Sequence, residues 1–553
     1  MRSARLLRFL NLSIAALLVA FLVVAWWYGW RPLPETSGTI KAPVSAEARI
    51  VRDALGVPHI EAATIEDAIF LQGFATAEDR MWQMDALRRL AGGELAEVIG
   101  KRALEADEEA RRLRMQRMAE LHERSLPPED RKIMAAYARG VNYYLETHHD
   151  RLPLEFALLN YDPRPWTIKD SLLAALQMHR NLTTSWKEDW AKRGLLLAAK
   201  TPEDKAKVDL LYPPRAGWEP QPGSNAWAIG GARTASGKPI LANDPHLEFS
   251  APSTWHMVHL KAPGLNVIGV ALPGIPAVVI GHNEKIAWGV TNLHFDVQDL
   301  YEERFEQSTG RYQFQGRIEQ ASVERETIGV KGDKPVTVPV FVTRHGPVIV
   351  TEGPKVFTLR WAAGEAGTFQ FPFLDLNSAS NWEEFRAALR RFPGPGQNFV
   401  YADTSGNIGY QATGLLPIRQ GFNGSVPLDG ASGTQEWKGF IPFDSLPSTY
   451  NPAAGRIVTA NQNPFPPDYG YEVGGNFAAP YRAKQIGALL DAKPKGWTPE
   501  GMLSIQKDVY SGFLLFLAQQ AISAAARTDS KNSSVLAAVD VLKKWHGQME
   551  KDL

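Results

Sequence analysis

The chain has 553 residues, 44% of them hydrophobic and 10% aromatic, enough to bury a large core in one layered domain or in several smaller ones. Its 60 basic and 60 acidic residues cancel, so no overall field favours nucleic acid or an acidic partner. The absence of cysteine excludes a disulfide framework, a thiolate metal site and a cysteine nucleophile.

From the N-terminus, residues 9–30 carry no charge, follow Arg2, Arg5 and Arg8, and close on Trp26, Trp27, Tyr28 and Trp30. At about 1.5 Å per residue this stretch spans a bilayer. The arginines keep the N-terminus cytoplasmic and place everything after Arg31 outside the cytoplasm. No small-residue cleavage site follows, so residues 1–30 read as an uncleaved anchor rather than a removed signal. Residues 31–44, with Pro32, Pro34 and Pro43, read as a tether.

Residues 46–60 look extended, and helical periodicity dominates residues 65–192, with breaks at Gly92-Gly93, Pro127-Pro128 and the prolines at 163 and 165. This sets a helical region at 31–200 and a connector at 201–223, polar and then rich in proline (Pro213, Pro214, Pro220, Pro222), exposed and suited to cutting. Short strands with turn punctuation take over from 224 to about 465, including residues 312–314, 336–343 and 399–402, and helical patterns return from Tyr481. The order fits an α+β fold better than a βαβ alternation.

Within this plan Ser224 stands out, placed directly after Pro222-Gly223 at the head of a strand-like run. Ordinary serines need a base beside them, but an N-terminal serine carries its own, because a free α-amine titrates at about 7.7 to 8.0. One cut at Gly223-Ser224 creates both groups, and Gly223, lacking Cβ, permits the close approach that attack on its carbonyl requires. Residues 225–230, 232–238 and 239–243 read as strand, turn and returning strand. Folded about Ala235, this hairpin sets position 224 opposite 246, bringing His246 beside Ser224.

These residues resemble the penicillin acylase family of N-terminal-nucleophile hydrolases. The likeness runs through Arg52-Asp-Ala-Leu-Gly-Val-Pro-His-Ile60, Gly223-Ser-Asn-Ala-Trp227, Asn243-Asp-Pro-His246, Trp288-Gly-Val-Thr-Asn292, Asp296-Val-Gln-Asp299, Arg344-His-Gly-Pro347, Gln397-Asn-Phe-Val-Tyr-Ala-Asp403 and Thr459-Ala-Asn461. The resemblance implies self-cleavage between Gly223 and Ser224, giving a small and a large chain that stay associated in a four-layer αββα sandwich. Ser224 then attacks a linear N-acyl amide, with the Asn461 side chain and the Asn292 backbone N–H as oxyanion donors. It implies further that His246 orients the Ser224 amine and hydroxyl, and that Arg482 positions Asn461 or substrate.

The resemblance also implies one structural calcium ion, held by Glu188, Asp296, Asp299, the Gln298 backbone and either Asp468 or Glu472, since hard cations want several oxygens. It places Met178, Leu182, Leu247 and Ile280 in the acyl pocket, an aliphatic set that suits a fatty acyl amide as well as phenylacetyl. It departs from the family in keeping an anchor, and in stopping at Leu553 where the family's large chain runs on, so that residues 224–553 read as an incomplete large chain.

Other readings are weaker. A metal hydrolase on His246, His256 and His259 fails because a three-residue step on a strand sets His256 and His259 on opposite faces. No Gly-x-Ser-x-Gly elbow, phosphate loop or dinucleotide-binding glycine signature occurs. The remaining alternative is an unprocessed, membrane-anchored binding protein on the same scaffold.

Overall fold

Both faces of the strand that opens at the candidate nucleophile are buried, and the layers stack on either side of it. The computed structural model describes residues 2–183, 185–211, 223–365, 370–528 and 531–551. In it Ser224–Ile229 is the middle strand of a three-stranded antiparallel sheet, between Arg456–Thr459 and Ile240–Pro245. Strand alternation divides its side chains. Ala226 and Ala228 join a cluster with Val400, Ala402, Ala412 and Ile457, whereas Trp227 and Ile229 pack with Ile486, Leu490, Met502 and Ile505 of the helices Tyr481–Ala492 and Pro499–Gln506. Small residues on the first face allow the two sheets to approach, and large ones on the second fill the space to the helices.

The sheet met by Ala226 and Ala228 has nine strands, in the order Arg49–Arg52, Pro58–Glu61, His256–Ala262, Leu265–Ala271, Ile280–Asn283, Ile286–Asn292, Gln397–Asp403, Ile408–Thr413 and Ser448–Tyr450. On its other side lie the helices Ile65–Gly92, Pro128–His148 and Ile168–Thr183, whose apolar residues share one core with Val258, Leu260, Val267 and Trp288. The layers thus run helices, nine-stranded sheet, three-stranded sheet, helices.

Local sequence explains the first of these helices. Thr64 caps it, its hydroxyl accepting from the Asp67 N–H, and Gly93 ends it in the left-handed conformation at φ 66°. Its crossing with Pro128–His148 requires two glycines. A Cβ on Gly73 would lie 2.2 Å from the Tyr137 carbonyl oxygen, and one on Gly140 1.9 Å from that of Phe70.

The helical first part, the breaks at Gly93 and Pro127, and the return of helices at Tyr481 follow the sequence reading. Three features differ. Two helices, Phe373–Ser378 and Trp382–Arg390, interrupt the stretch read as strands; Asn381 caps the second through the Glu384 N–H, a signal present in the sequence. The polar start of the connector forms a helix, Pro202–Leu211, while the prolines at 213, 214, 220 and 222 lie outside the described residues. The hairpin pairs Ser224 with Pro245, not with His246, because its turn is one residue shorter than a fold about Ala235.

At the N-terminus the apolar side chains of the helix Arg2–Ala25 and of the π-helical turn Trp26–Trp30 are exposed. The stretch from Arg5 to Trp30 is long and apolar enough to cross a membrane. Ion pairs of Arg31 with Asp150 and of Arg151 with Glu35 fasten its exit to the body.

Candidate active site

Ser224 is 7% exposed at the head of its strand, and its surroundings come from four separate segments. Its backbone N–H donates to Asn461 Oδ1 at 2.6 Å. Asn461, fully buried and left-handed at φ 68°, directly follows the neighbouring strand Arg456–Thr459 and Ala460, and donates through Nδ2 to the Asn292 carbonyl at 2.8 Å. Arg482, at the start of its helix, donates to the Ser224 carbonyl (3.0 Å), Asn225 Oδ1 (2.8 Å) and Asn461 Oδ1 (3.0 Å). Four of the five expected catalytic residues therefore form one connected network.

His246 stands apart. Its backbone N–H donates to the Gly223 carbonyl at 2.7 Å, but its imidazole is exposed and turns to Asp244 Oδ2 at 2.6 Å. Register supplies the reason. Pairing Ser224 with Pro245 puts His246 on the same strand face as Asp244 and Asn225, opposite the face of Ser224, since a slip of one residue exchanges the faces. A Cβ on Gly223 would lie 2.5 Å from Arg482 Nη2 and 2.9 Å from Asn461 Oδ1, so any side chain there requires these two groups to shift.

A cavity of about 110 Å³ opens at Ser224. Met178, Leu182 and Leu247 line it as expected, but Ile280 does not. The preceding Val279 takes that wall, while Ile280 starts a strand and packs into the core. The wall is also more aromatic than the sequence suggested, with Phe371, Phe373, Phe392, Phe399 and Trp255. A wider groove of about 950 Å³ meets the cavity at Met178, Leu182, Leu247, Leu272 and Asn292. His294 lines this groove, its pKa pushed down to about 4 by burial and then by Arg482, so its imidazole is neutral.

The expected calcium ligands divide in the same way. Glu188, Asp296 and Asp299 gather with Asp189, which sequence reasoning missed, around the fully buried Arg419. Arg419 Nε donates to Asp299 Oδ2 at 2.9 Å, and the Ser185 hydroxyl donates to Asp296 Oδ1 at 2.7 Å. Glu188 accepts from Asn476 Nδ2 at 2.8 Å, and the Gln298 side chain accepts from the Ser185 N–H at 2.9 Å. Asp468 and Glu472 are exposed. Burial, followed by repulsion from Asp296 and Asp299, raises Asp189 well above the usual carboxylate range, and burial likewise raises Asp296, to about 6, against the pull of Arg419. Asp189 Oδ2 and Asp299 Oδ1 are shielded from solvent without a hydrogen-bond partner among the described residues. The donors are hard oxygens in excess of positive charge, which suits calcium in kind, although no ready-made set of three or more metal-binding side chains occurs among the described residues. A signal for Asp189 was available: Trp186, one helical turn earlier, packs on the core and marks the inward face.

The histidines of the rejected metal reading are dispersed. His256 is buried against Asp79 Oδ2 at 3.0 Å, while His259 meets Asn266 Oδ1 at 2.8 Å and His59 Nδ1 at 2.9 Å.

Residues 47–553 match the family model described as penicillin amidase. The chain is 33% identical over 536 residues to acyl-homoserine lactone acylase QuiP of Pseudomonas aeruginosa, covering 87% of this chain and 63% of that protein. It is 33% identical over 505 residues to penicillin acylase 2 proenzyme of Pseudomonas sp. (strain SE83), covering 84% and 64%. The thermostable penicillin G acylase of Alcaligenes faecalis matches with a TM-score of 0.52 at 26% identity, over 60% of each chain. The chain thus spans a little under two thirds of the length of these curated relatives. With a family match across nearly everything past the apolar helix and a serine site built from the motifs that carry the likeness, the chain belongs to the penicillin amidase family.

Proposed function

We propose that the protein cuts its own chain between Gly223 and Ser224 and then hydrolyses a linear N-acyl amide through an acyl-enzyme on Ser224. The helix–sheet–sheet–helix order is read as the αββα sandwich of N-terminal-nucleophile hydrolases, with the two chains remaining associated. One observation carries the proposal: Ser224, Asn461, Asn292 and the half-buried Arg482 form one connected network, and Ser224 and Asn292 line an apolar cavity.

In the cut, Ser224 Oγ adds to the Gly223 carbonyl carbon while the His246 N–H holds its oxygen. The Oγ proton passes to the Ser224 nitrogen as the Gly223–Ser224 C–N bond breaks, an ester forms, and water hydrolyses it to a Gly223 carboxylate and the Ser224 hydroxyl beside its free amine. In turnover that amine, through a water, takes the hydroxyl proton as Oγ attacks the substrate carbonyl. Asn461 Nδ2 has two N–H bonds; one is on Asn292, and the other, with the Asn292 backbone N–H, serves the oxyanion. The proton passes to the leaving nitrogen, the C–N bond breaks, and water releases the acid. The cavity takes the acyl group and the groove the amine half.

Intact mass and N-terminal sequencing of the purified protein test this reading, together with acid release from N-acyl amides. Two chains, one starting at Ser224, and hydrolysis are expected. A single uncut chain that binds such amides without cleaving them would instead identify the anchored binding protein.

We further propose that residues 5–30 anchor the protein in the membrane with its body outside the cytoplasm, and that the Glu188, Asp189, Asp296 and Asp299 cluster takes one calcium ion, which would offset the carboxylate excess left by Arg419. Millimolar calcium is then expected to raise the melting temperature by several degrees, reversibly with a chelator, and by less in Asp189→Asn. An unchanged melting temperature would remove the metal from the account.

A further inference from the structure

The wide groove that meets the Ser224 cavity begins beside the exit of the apolar N-terminal helix, and two paths along the chain fix this. Arg31, the first residue after that helix, pairs with Asp150, and Arg151 pairs with Glu35. Four residues beyond Arg151, Glu155 lines the groove, a reach of at most about 14 Å. By the second path, the Glu35 N–H donates to Glu78 Oε1 at 3.2 Å, and Trp82, four residues or about 6 Å along the helix from Glu78, also lines the groove. The polar interface of a bilayer is itself about 5–8 Å deep on each side, and Trp26, Trp27 and Trp30 mark its level. With the helix in a membrane, the outer end of the groove therefore lies close to the lipid headgroups.

Two segments at that end carry bare apolar side chains. Leu154 and Leu158, one turn apart on the short helix Leu154–Leu159, are exposed, Leu158 by 72%, while Phe156 between them packs on Trp82. Phe249 is fully exposed between the lining residues Glu248 and Ser250. Its segment is held to the helix of Trp82 by Arg80 and Gln83, which donate to the Ser253 carbonyl at 3.1 and 2.9 Å. Single exposed leucines are ordinary, but apolar side chains gathered at a groove mouth mark a contact surface. A second exposed apolar region, with Phe513, Phe516 and Leu536 on the helices Gly512–Arg527 and Ser533–Lys544, joins Tyr481 in the helical layer on the other side of both sheets.

We infer that Leu154, Leu158 and Phe249 rest in the lipid interface and that the groove opens onto the bilayer, so that an amphiphile dissolved in the membrane enters it without crossing water. The inference rests on residues 5–30 being a membrane anchor. Moving these side chains from water into the interface is favourable in proportion to the apolar area buried. The anchor makes the contact intramolecular, so a patch too small to bind a membrane by itself suffices to orient a body already tethered there. The ion pairs of Arg31 and Arg151 limit how far the body can turn about its tether.

The chain has no cysteine, so Val23→Cys, Leu158→Cys, Phe249→Cys and Leu536→Cys each accept one fluorescent label. The full chain is placed in phosphatidylcholine nanodiscs with and without a nitroxide near the glycerol end of the acyl chains. Labels at 23, 158 and 249 are expected to lose about twofold or more of their fluorescence to the nitroxide, and the label at 536 to keep it. Quenching at 23 alone, at only one of 158 and 249, or most strongly at 536 overturns the inference. A photoactivatable phospholipid tests the unsubstituted protein, which removes any dependence on a folded variant. Lipid adducts on residues 154–158 and on Phe249 support the surface, and adducts confined to residues 5–30 refute it. No quenching at 23 is the separate failure of the anchor reading, and the lipid adducts formed on vesicles still decide the surface.

Discussion

A Ser224→Ala protein is expected to remain a single uncut chain, with no terminus at residue 224, and to lose amide hydrolysis by on the order of a million-fold in kcat, the scale set by deleting a serine nucleophile. Both losses have one cause, because the same Oγ is required to open the Gly223 peptide and to attack substrate. The fold should hardly change. The contacts that fix this residue run through its backbone, the N–H to Asn461 and the carbonyl to Arg482, and alanine keeps both. Intact mass, N-terminal sequencing and a melting curve check the three parts. A variant that still cuts at 223/224 would move the nucleophile elsewhere.

Asn461→Ala is expected to cost about 10²–10³-fold in kcat, the usual worth of one oxyanion donor, with a smaller change in KM. It should also lower stability, since the Ser224 N–H and one Arg482 N–H lose their acceptor in a buried place, and alanine is disfavoured at φ 68° by about 1–2 kcal/mol. Asn461→Asp separates these effects. Aspartate tolerates the left-handed conformation and still accepts from Arg482, so the melting temperature should recover more than kcat, because the donor is missing. Equal kcat in Asn461→Asp and wild type would exclude the side chain as an oxyanion donor.

The parts of the site that were legible in sequence are those whose neighbours are local or carried by a motif. Ser224 after Gly223 and the hairpin follow from short-range patterns, and Asn461 was carried by the Thr459-Ala-Asn461 motif of the resemblance. His246 shows the limit of that logic: a hairpin turn misjudged by one residue moved its imidazole from the serine's face to the opposite one, leaving only its backbone N–H at the scissile carbonyl. Asp189 and Arg419 were not legible because their partners lie in distant segments, and a charged residue alone in sequence looks the same whether it will meet water or Asp296. The aromatic cavity wall was missed for a related reason, since Phe371 and Phe373 lie at the start of a short helix where strands were expected.

By itself the sequence determined most of the secondary structure along the chain, the place of the candidate nucleophile and the apolar N-terminal helix, because periodicity, turn chemistry and the Gly-Ser junction act over a few residues. Only the tertiary structure decided which atoms face Ser224 and which carboxylates share Arg419. Those depend on register and on contacts between segments hundreds of residues apart, and burial, which turns such contacts into large free energies, exists only once the chain has folded.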